Sequence, residues 1–408
     1  MNIICEKNIL NEAVTAILPV VSSKNTNKSL EGFLITADKD SGTLVVCGYD
    51  MEKGAKVTIS GDKIQIDESG SIIVNAEKFS SIVKNLPDGK ISVVADAALN
   101  VTIMCGKSRF TVNGLDGETF PAMPELKSDK NVKLPCKTLK DMIKSTLFSA
   151  ANNNSRPALN GVLFEIRGNQ MNAVSCDGNR LSLRRSCEGL TSDGELDIHF
   201  IAPGKSLSEL LKLLNGDDKS VEIDVTQKHV IISFDNIIFF SRLIESDFID
   251  YKKIMKTEPK TTIIVNTRDF LSSIERAAVL TDDKPKTIVK LNFVKNEIDI
   301  ENENKAGIVE ITSSSSIGKT SDECGVEIHG ENVTIGFNQR YLAEALRAVK
   351  DDKILMQIES PTKSMIILPY STVSTDEKSD SVDINTDTEV SKFVYLVLPV
   401  FLREENKK

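Results

Sequence analysis

The chain has 408 residues, 40% of them apolar and 27% charged, an ordinary globular composition that excludes collagen-like, low-complexity and disordered classes for its bulk. At roughly 100–200 residues per domain, two to four domains are expected, with cores resting on Ile, Leu and Val because Trp is absent and Tyr scarce. The formal charge of −9 taken as a sum argues against a nucleic-acid binder, and seven irregularly spaced Cys without a C-x-x-C pair argue against a disulfide framework.

The start, MNIICEKN, turns polar too early for a signal peptide, and no stretch approaches the ~18 apolar residues of a membrane span; a soluble, cytoplasmic protein is expected. Helical spacing of Ile9, Leu10, Ala13, Val14 and Ile17 predicts a helix over 7–18. Alternating segments such as TLVVCGYD and AKVTISG follow as strands, then a helix over 77–86. The same order recurs: a helix over 137–149 (Leu139, Met142, Ile143, Leu147), strands, a helix over 203–214, and hairpins in SVEIDVTQKHVIISFDNIIFFSRLI. It recurs again with helices over 267–279 (Phe270, Leu271, Ile274, Ala277, Ala278) and 338–350. Between 371 and 392 lies a polar insertion with six acidic residues and two Lys from 374 onward, which reads as a solvated loop.

Local strings carry the same repetition. Leu30-Glu31-Gly32-Phe33-Leu34 returns as Leu159-Asn160-Gly161-Val162-Leu163, an offset of 129. The segment 78–93 resembles 205–225 and 340–358, with turns Asp88-Gly89-Lys90, Asp217-Asp218-Lys219 and Asp351-Asp352-Lys353. A period near 130 is a whole domain copied. Three domains are therefore expected, at 1–126, 127–256 and 257–408, each α+β with two helices on antiparallel sheet and about eight strands.

Catalytic clusters do not stand out. His199, His229 and His329 each sit in or beside a predicted strand without a second His or Cys at ligand spacing, so neither metal nor cofactor is expected. Gly318-Lys319-Thr320 has the tail of a phosphate-binding loop, but Ser313 stands where the first Gly belongs and no helix follows. The charge, in contrast, is sorted. The six predicted helices hold thirteen Lys/Arg against seven Asp/Glu, which leaves the remainder of the chain at −15. Basic helices on an acidic body suggest one surface that faces a polyanion; the helix preference of Lys and Arg is the competing explanation.

The triplication, together with LNGVLFE (159–165), CDGNRLS (176–182), DFIDYKKI (247–254) and VYLVLPV (394–400), resembles the bacterial DNA sliding clamp, the beta subunit of DNA polymerase III. The resemblance implies three tandem clamp domains assembling as a head-to-tail homodimeric ring, with sheets outside and helices around duplex DNA. The implied function is that of a non-catalytic processivity factor that tethers the polymerase and the clamp loader through linear peptide motifs. A divergent accessory clamp, or a DNA-modifying enzyme on the same scaffold, is the alternative.

By that resemblance, sequence-independent DNA contacts fall to Lys24, Lys28, Lys84, Asn153, Arg156, Lys205, Lys212, Arg340 and Arg347, each equally readable as a solvated side chain. Ring closure falls to Phe110 and Val112 against Val279 and Leu280, with Lys78, Lys107 and Arg109 facing acids such as Glu301 and Glu303; core packing is the other reading of Phe110 and Val112. The partner-peptide groove falls to Leu159, Cys176, Gly178, Asn179, Arg180, Leu181, Ile249, Ile254, Ser364, Leu396, Leu398, Pro399 and Val400. Ile249 and Asn179 replace the Pro and His usual in the family, and 403–408 run past its customary end, beside the groove.

Overall fold

Each repeat opens on a short alternating strand that runs directly into a helix, and the apolar stripe of that helix closes over the sheet. In the computed structural model the helices are α1 (Lys7–Ile17), α2 (Ala76–Asn85), α3 (Cys136–Lys144), α4 (Gly204–Leu213), α5 (Tyr251–Ile254), α6 (Thr267–Ala277) and α7 (Gln339–Ala348). The structure describes residues 1–22, 24–124, 131–192, 197–214, 216, 219–280, 287–295, 306–370, 372–374, 382–384, 388 and 391–402. The buried faces are those expected from spacing: Leu10, Ala13, Val14 and Ile17 on α1, Leu139, Met142 and Ile143 on α3, and Phe270, Ile274 and Ala277 on α6. Asn75, Asn266 and Asn338 cap α2, α6 and α7, their side chains accepting from first-turn N–H groups. Such caps contribute about 1 kcal/mol each.

Two boundaries differ from expectation. The helix predicted over 137–149 ends at Lys144, where Thr146 turns its hydroxyl back onto the Met142 carbonyl, and a 3-10 turn at Leu147–Ser149 follows. α5 is a single turn, too short for a periodic signal, and was not expected. Among the described residues the repeats carry eight or nine strands of five residues or more, and two paired three-residue strands, Thr372–Ser374 and Val382–Ile384, lie within the acidic insertion. The remainder of that insertion, apart from 388, 391 and 392, lies outside the described residues.

The described chain separates into two compact units. Unit 1 comprises Met1–Lys140, Arg167–Asn169 and Glu188–Glu245. It holds one sheet in the order 64–68, 2–6, 90–95, 100–105, 108–113. Its second sheet runs 115–116, 70–75, 32–38, 43–49, 53–60, 237–242, 229–234, 220–225, 131–135, 191–192. The strand Lys53–Ser60 of the first repeat thus pairs directly with Ile237–Arg242 of the second, Gly54 opposite Phe240. A Cβ at Gly54 would stand 2.4 Å from the Phe240 ring, so only glycine fits this seam.

Unit 2 comprises Asp141–Ile166, Gln170–Cys187 and Ser246–Lys408. The sheet strands that lie within this unit run 161–167, 170–176, 180–186, 393–397, 365–369, 353–358, 261–266, 319–330, 306–314, 288–295, 333–338. Here Arg180–Ser186 of the second repeat pairs with Phe393–Val397 of the third, Arg180 opposite Val397. Phe270, Phe293, Phe337, Phe393 and Tyr395 sit in one cluster beneath α6 and α7.

Phe270→Ala should destabilise the chain by about 3–5 kcal/mol, because the ring is fully enclosed between α6 and the sheet and leaves a cavity. Chemical denaturation measures this, and a loss below about 1 kcal/mol would show that the helix face is not the core.

Candidate functional site

The ladder between 180–186 and 393–397 gathers most of the expected groove at one end. Val397 and Leu396 stand opposite Arg180 and Leu181, Met365 next to Ser364 pairs with Val397, and Leu398 N–H donates to the Asn179 carbonyl at 2.8 Å. The chain then crosses the sheet edge, where Val400 N–H donates to the Gly336 carbonyl at 2.8 Å. Ile249 and Ile254 arrive on the segment around α5, which is anchored by Tyr251: its hydroxyl donates to the Glu165 carboxylate, and burial with that carboxylate raises its pKa. Gly178 makes the tight turn before Asn179 with φ +94°.

Burial divides these residues in two. Leu159, Cys176, Leu181 and Leu396 are closed off beneath the surface, and burial pushes the Cys176 thiol up. Ile254 (45% exposed) and Leu398 (41%) stand open, with Phe401 (81%) just beyond. Of the apolar residues in this set, Ile254 and Leu398 are therefore the exposed ones. The tail 403–408 lies outside the described residues.

Arg180, expected as a groove contact, is an internal strut instead. Its side chain is 5% exposed. Nε donates to Asp177 at 3.0 Å, Nη1 to Glu344 on α7 and Nη2 to the Phe148 carbonyl. The guanidinium lies over the Tyr341 ring at 4.5 Å and near Phe148 at 5.4 Å. Asp177 also accepts the backbone N–H groups of Asn179 and Arg180, which fixes the turn. Burial pushes the Glu344 carboxyl up, but hydrogen bonds from Arg180 and Arg340 outweigh it and hold the group below the usual carboxylate range. Sequence reasoning missed Glu344, Tyr341 and Phe148; the one available signal was D-x-x-R at 177–180, which repeats as D-x-x-K at 50–53.

The candidate cations occupy helices and loops as expected, and Lys24, Lys84, Arg156 and Lys205 are exposed. Asn153 takes a left-handed turn at φ +59°. Several carry carboxylate partners: Lys28 with Glu31 (2.9 Å), Lys212 with Glu209 (2.6 Å), Arg340 with Glu344 (2.9 Å) and Arg347 with Glu275 (2.7 Å). All seven Cys are free, and each of the three His lies in a strand. Lys319 begins the strand Lys319–Gly330, so the G-K-T sequence is no phosphate loop. Among the described residues no group of three His, Cys, Asp or Glu is placed to hold a metal, and no helix is long and apolar enough to cross a membrane.

Among the described residues, two strand flanks stand open where the repeat pattern would place a neighbour. In unit 1 the edge strand Ser108–Asn113 leaves Phe110 42% exposed and Val112 half-buried, so Phe110 is not core; Lys78, Lys107 and Arg109 are exposed. In unit 2 the strand Lys319–Gly330 pairs with 261–264 only through 327–330, so among the described residues the flank 319–326 has no strand neighbour on that side. Beside that flank Val279 (76%), Leu280 and Ile317 stand exposed, the Leu280 carbonyl accepting from the Ser315 hydroxyl. Glu301 and Glu303 lie outside the described residues. The carboxylates on the flank itself are Asp322, paired with Arg276, and the exposed Glu323.

Comparison with known proteins accords with this geometry. Sequence models of the DNA polymerase III beta subunit match in order: the N-terminal domain over 1–124, the central domain over 133–250 and the C-terminal domain over 252–380. Beta sliding clamps of Halalkalibacterium halodurans and Bacillus subtilis are each 30% identical over 374 residues, spanning 90% of this chain and 96% and 95% of theirs. The crystal structure of the DNA polymerase sliding clamp from Bacillus subtilis superposes with a TM-score of 0.86 at 30% identity, covering 99% of this chain and 100% of that one. A putative DNA polymerase III beta subunit from Eubacterium rectale gives 0.85 at 28%, covering 98% and 100%. The chain belongs to the DNA polymerase III beta subunit family, the beta sliding clamps, and is a non-catalytic subunit.

Arg180→Ala should cost about 3 kcal/mol or more, because it strands Asp177 and Glu344 in a largely dry site. Arg180→Lys should recover only part of this, since an ammonium cannot span three acceptors in one plane. Denaturation curves of the two variants test the order.

Proposed function

We propose that the chain works as a cytoplasmic DNA sliding clamp: two copies close head to tail into a ring around duplex DNA and hold a polymerase and a clamp loader through short peptides. One observation carries the closure. In each repeat an equivalent strand offers an edge to the next repeat: 53–60 takes 237–242, and 180–186 takes 393–397. The strand equivalent to 53–60 and 180–186 in the third repeat is 319–330, and the strand equivalent to 237–242 and 393–397 in the first is 108–113. Both lack that neighbour among the described residues. Unpaired edges invite association, and a second copy supplies the missing partner for each. Phe110 and Val112 with Lys107 and Arg109 complement Val279, Leu280 and Ile317 with Asp322 and Glu323.

Lys84, Lys212 and Arg347, at equivalent places in the three repeats, and Lys24, Lys28, Asn153, Arg156, Lys205 and Arg340 supply phosphate contacts. A topological hold needs no base readout, so contacts softened by neighbouring carboxylates suffice. The partner groove lies at the turn 177–179, with Ile254 and Leu398 as accessible anchors for Leu or Phe side chains and Ile249, Pro399 and Val400 around them.

Sizing should give about twice 44.8 kDa for the native chain and one chain for Phe110→Asp, which would bury an unpaired charge at the closing edge; a native monomer at micromolar concentration overturns the closure. Loaded on nicked circular DNA, the protein should stay, then leave once the circle is cut, whereas tight binding to a short linear duplex would contradict encirclement. Leu181→Asp would disturb the fold first because Leu181 is buried, so Leu398→Asp is the informative groove variant. It should lower peptide affinity at least tenfold without changing dimer size, and unchanged affinity would remove the groove assignment.

A further inference from the structure

We propose that Glu344 couples the groove turn to the DNA-facing cation Arg340, so that an occupied groove and a phosphate contact at Arg340 oppose each other; this deepens the clamp reading above and rests on it. Glu344 is shared. One oxygen accepts from Arg180, which holds the groove turn, and the other accepts Arg340 Nε at 2.9 Å. Arg340 is mostly exposed, with its side chain 68% accessible, and is free to turn toward a phosphate.

The internal repeat supplies a control. Asp50, Lys53 and Glu209 stand where Asp177, Arg180 and Glu344 stand in the next junction. There Lys53 pairs with Asp50, while Glu209 pairs with Lys212 on its own helix at 2.6 Å. The elements of the bridge are present in both junctions, yet the turn-to-helix link forms at the junction that carries the proposed groove. A guanidinium spans from Asp177 to α7, and a lysine does not.

The direction follows from charge. With Arg340 in place, Glu344 is balanced by two guanidiniums. When Arg340 leaves for a phosphate, the carboxylate draws on Arg180 alone. Arg180 then holds Asp177 less firmly, and Asp177 is what fastens the N–H groups of Asn179 and Arg180. The turn that accepts Leu398 N–H loosens, and peptide binding weakens. By linkage, a docked peptide weakens the Arg340 contact by the same factor.

The test uses the intact dimer and a labelled synthetic nonapeptide carrying a Leu-Phe pair among polar residues. Arg340→Ala should reduce its affinity about threefold, about 0.7 kcal/mol. Arg268→Ala, an exposed cation on α6 outside this network, should leave it unchanged. In an E344Q background, Arg340→Ala should add nothing, giving a non-additive cycle. Equal affinities of R340A and R268A, or an undiminished effect of R340A in E344Q, would overturn the coupling. Should E344Q fail to fold, the R340A and R268A comparison decides alone. Absence of peptide binding by the native protein would instead overturn the groove reading itself, with sizing and loading on circular DNA unaffected.

Discussion

Continuity of hydrogen bonding from one repeat into the next is the constraint on which the rest of this structure depends. A strand edge carries N–H and C=O groups that need partners. At the two junctions inside the chain those partners come from the following repeat, through ladders at 53–60 with 237–242 and 180–186 with 393–397. The seam leaves no room for error: Gly54 faces the Phe240 ring directly, and the equivalent register sets Leu181 opposite Leu396. The turn 177–179 runs into a strand that the second of these ladders holds in place, and the flank 319–326, open on one side among the described residues, lies on a strand of the same sheet.

Much of this was legible in the sequence, for a physical reason. A helix that covers a sheet must keep its apolar residues on one stripe, and the stripes of α1, α3 and α6 were readable at the predicted positions. The duplicated strings around Leu30 and Leu159 showed a copied domain. What could not be read depended on distant residues. Arg180 looked like a surface contact because nothing local reveals that Glu344, 164 positions away, meets it. The flank 319–326 carries the G-K-T sequence, but that it lacks a neighbour on one side among the described residues shows only in the folded sheet. α5 escaped because four residues hold barely one helical turn. The fold was thus more legible than the site, since cores are built from patterns and sites from meetings.

The two internal junctions also show how copied domains diverge. Lys53 and Arg180 occupy the same turn, beside Asp50 and Asp177. A lysine closes the turn locally. An arginine closes it and reaches a helix, an aromatic ring and a backbone carbonyl. One substitution of cation type distinguishes a seam that holds the chain together from one connected to its surroundings.

The cations that carry their own carboxylates have a kinetic consequence. If Lys212, Arg340 and Arg347 make the proposed phosphate contacts, each exchanges one anionic oxygen for another, so those bonds to the duplex are offset by the ion pairs given up. The energy along the duplex would then have shallower wells at these three positions, and translation from one phosphate register to the next would meet less resistance there. A surface of that kind would act as a lubricated bearing: charged enough to stay centred without gripping.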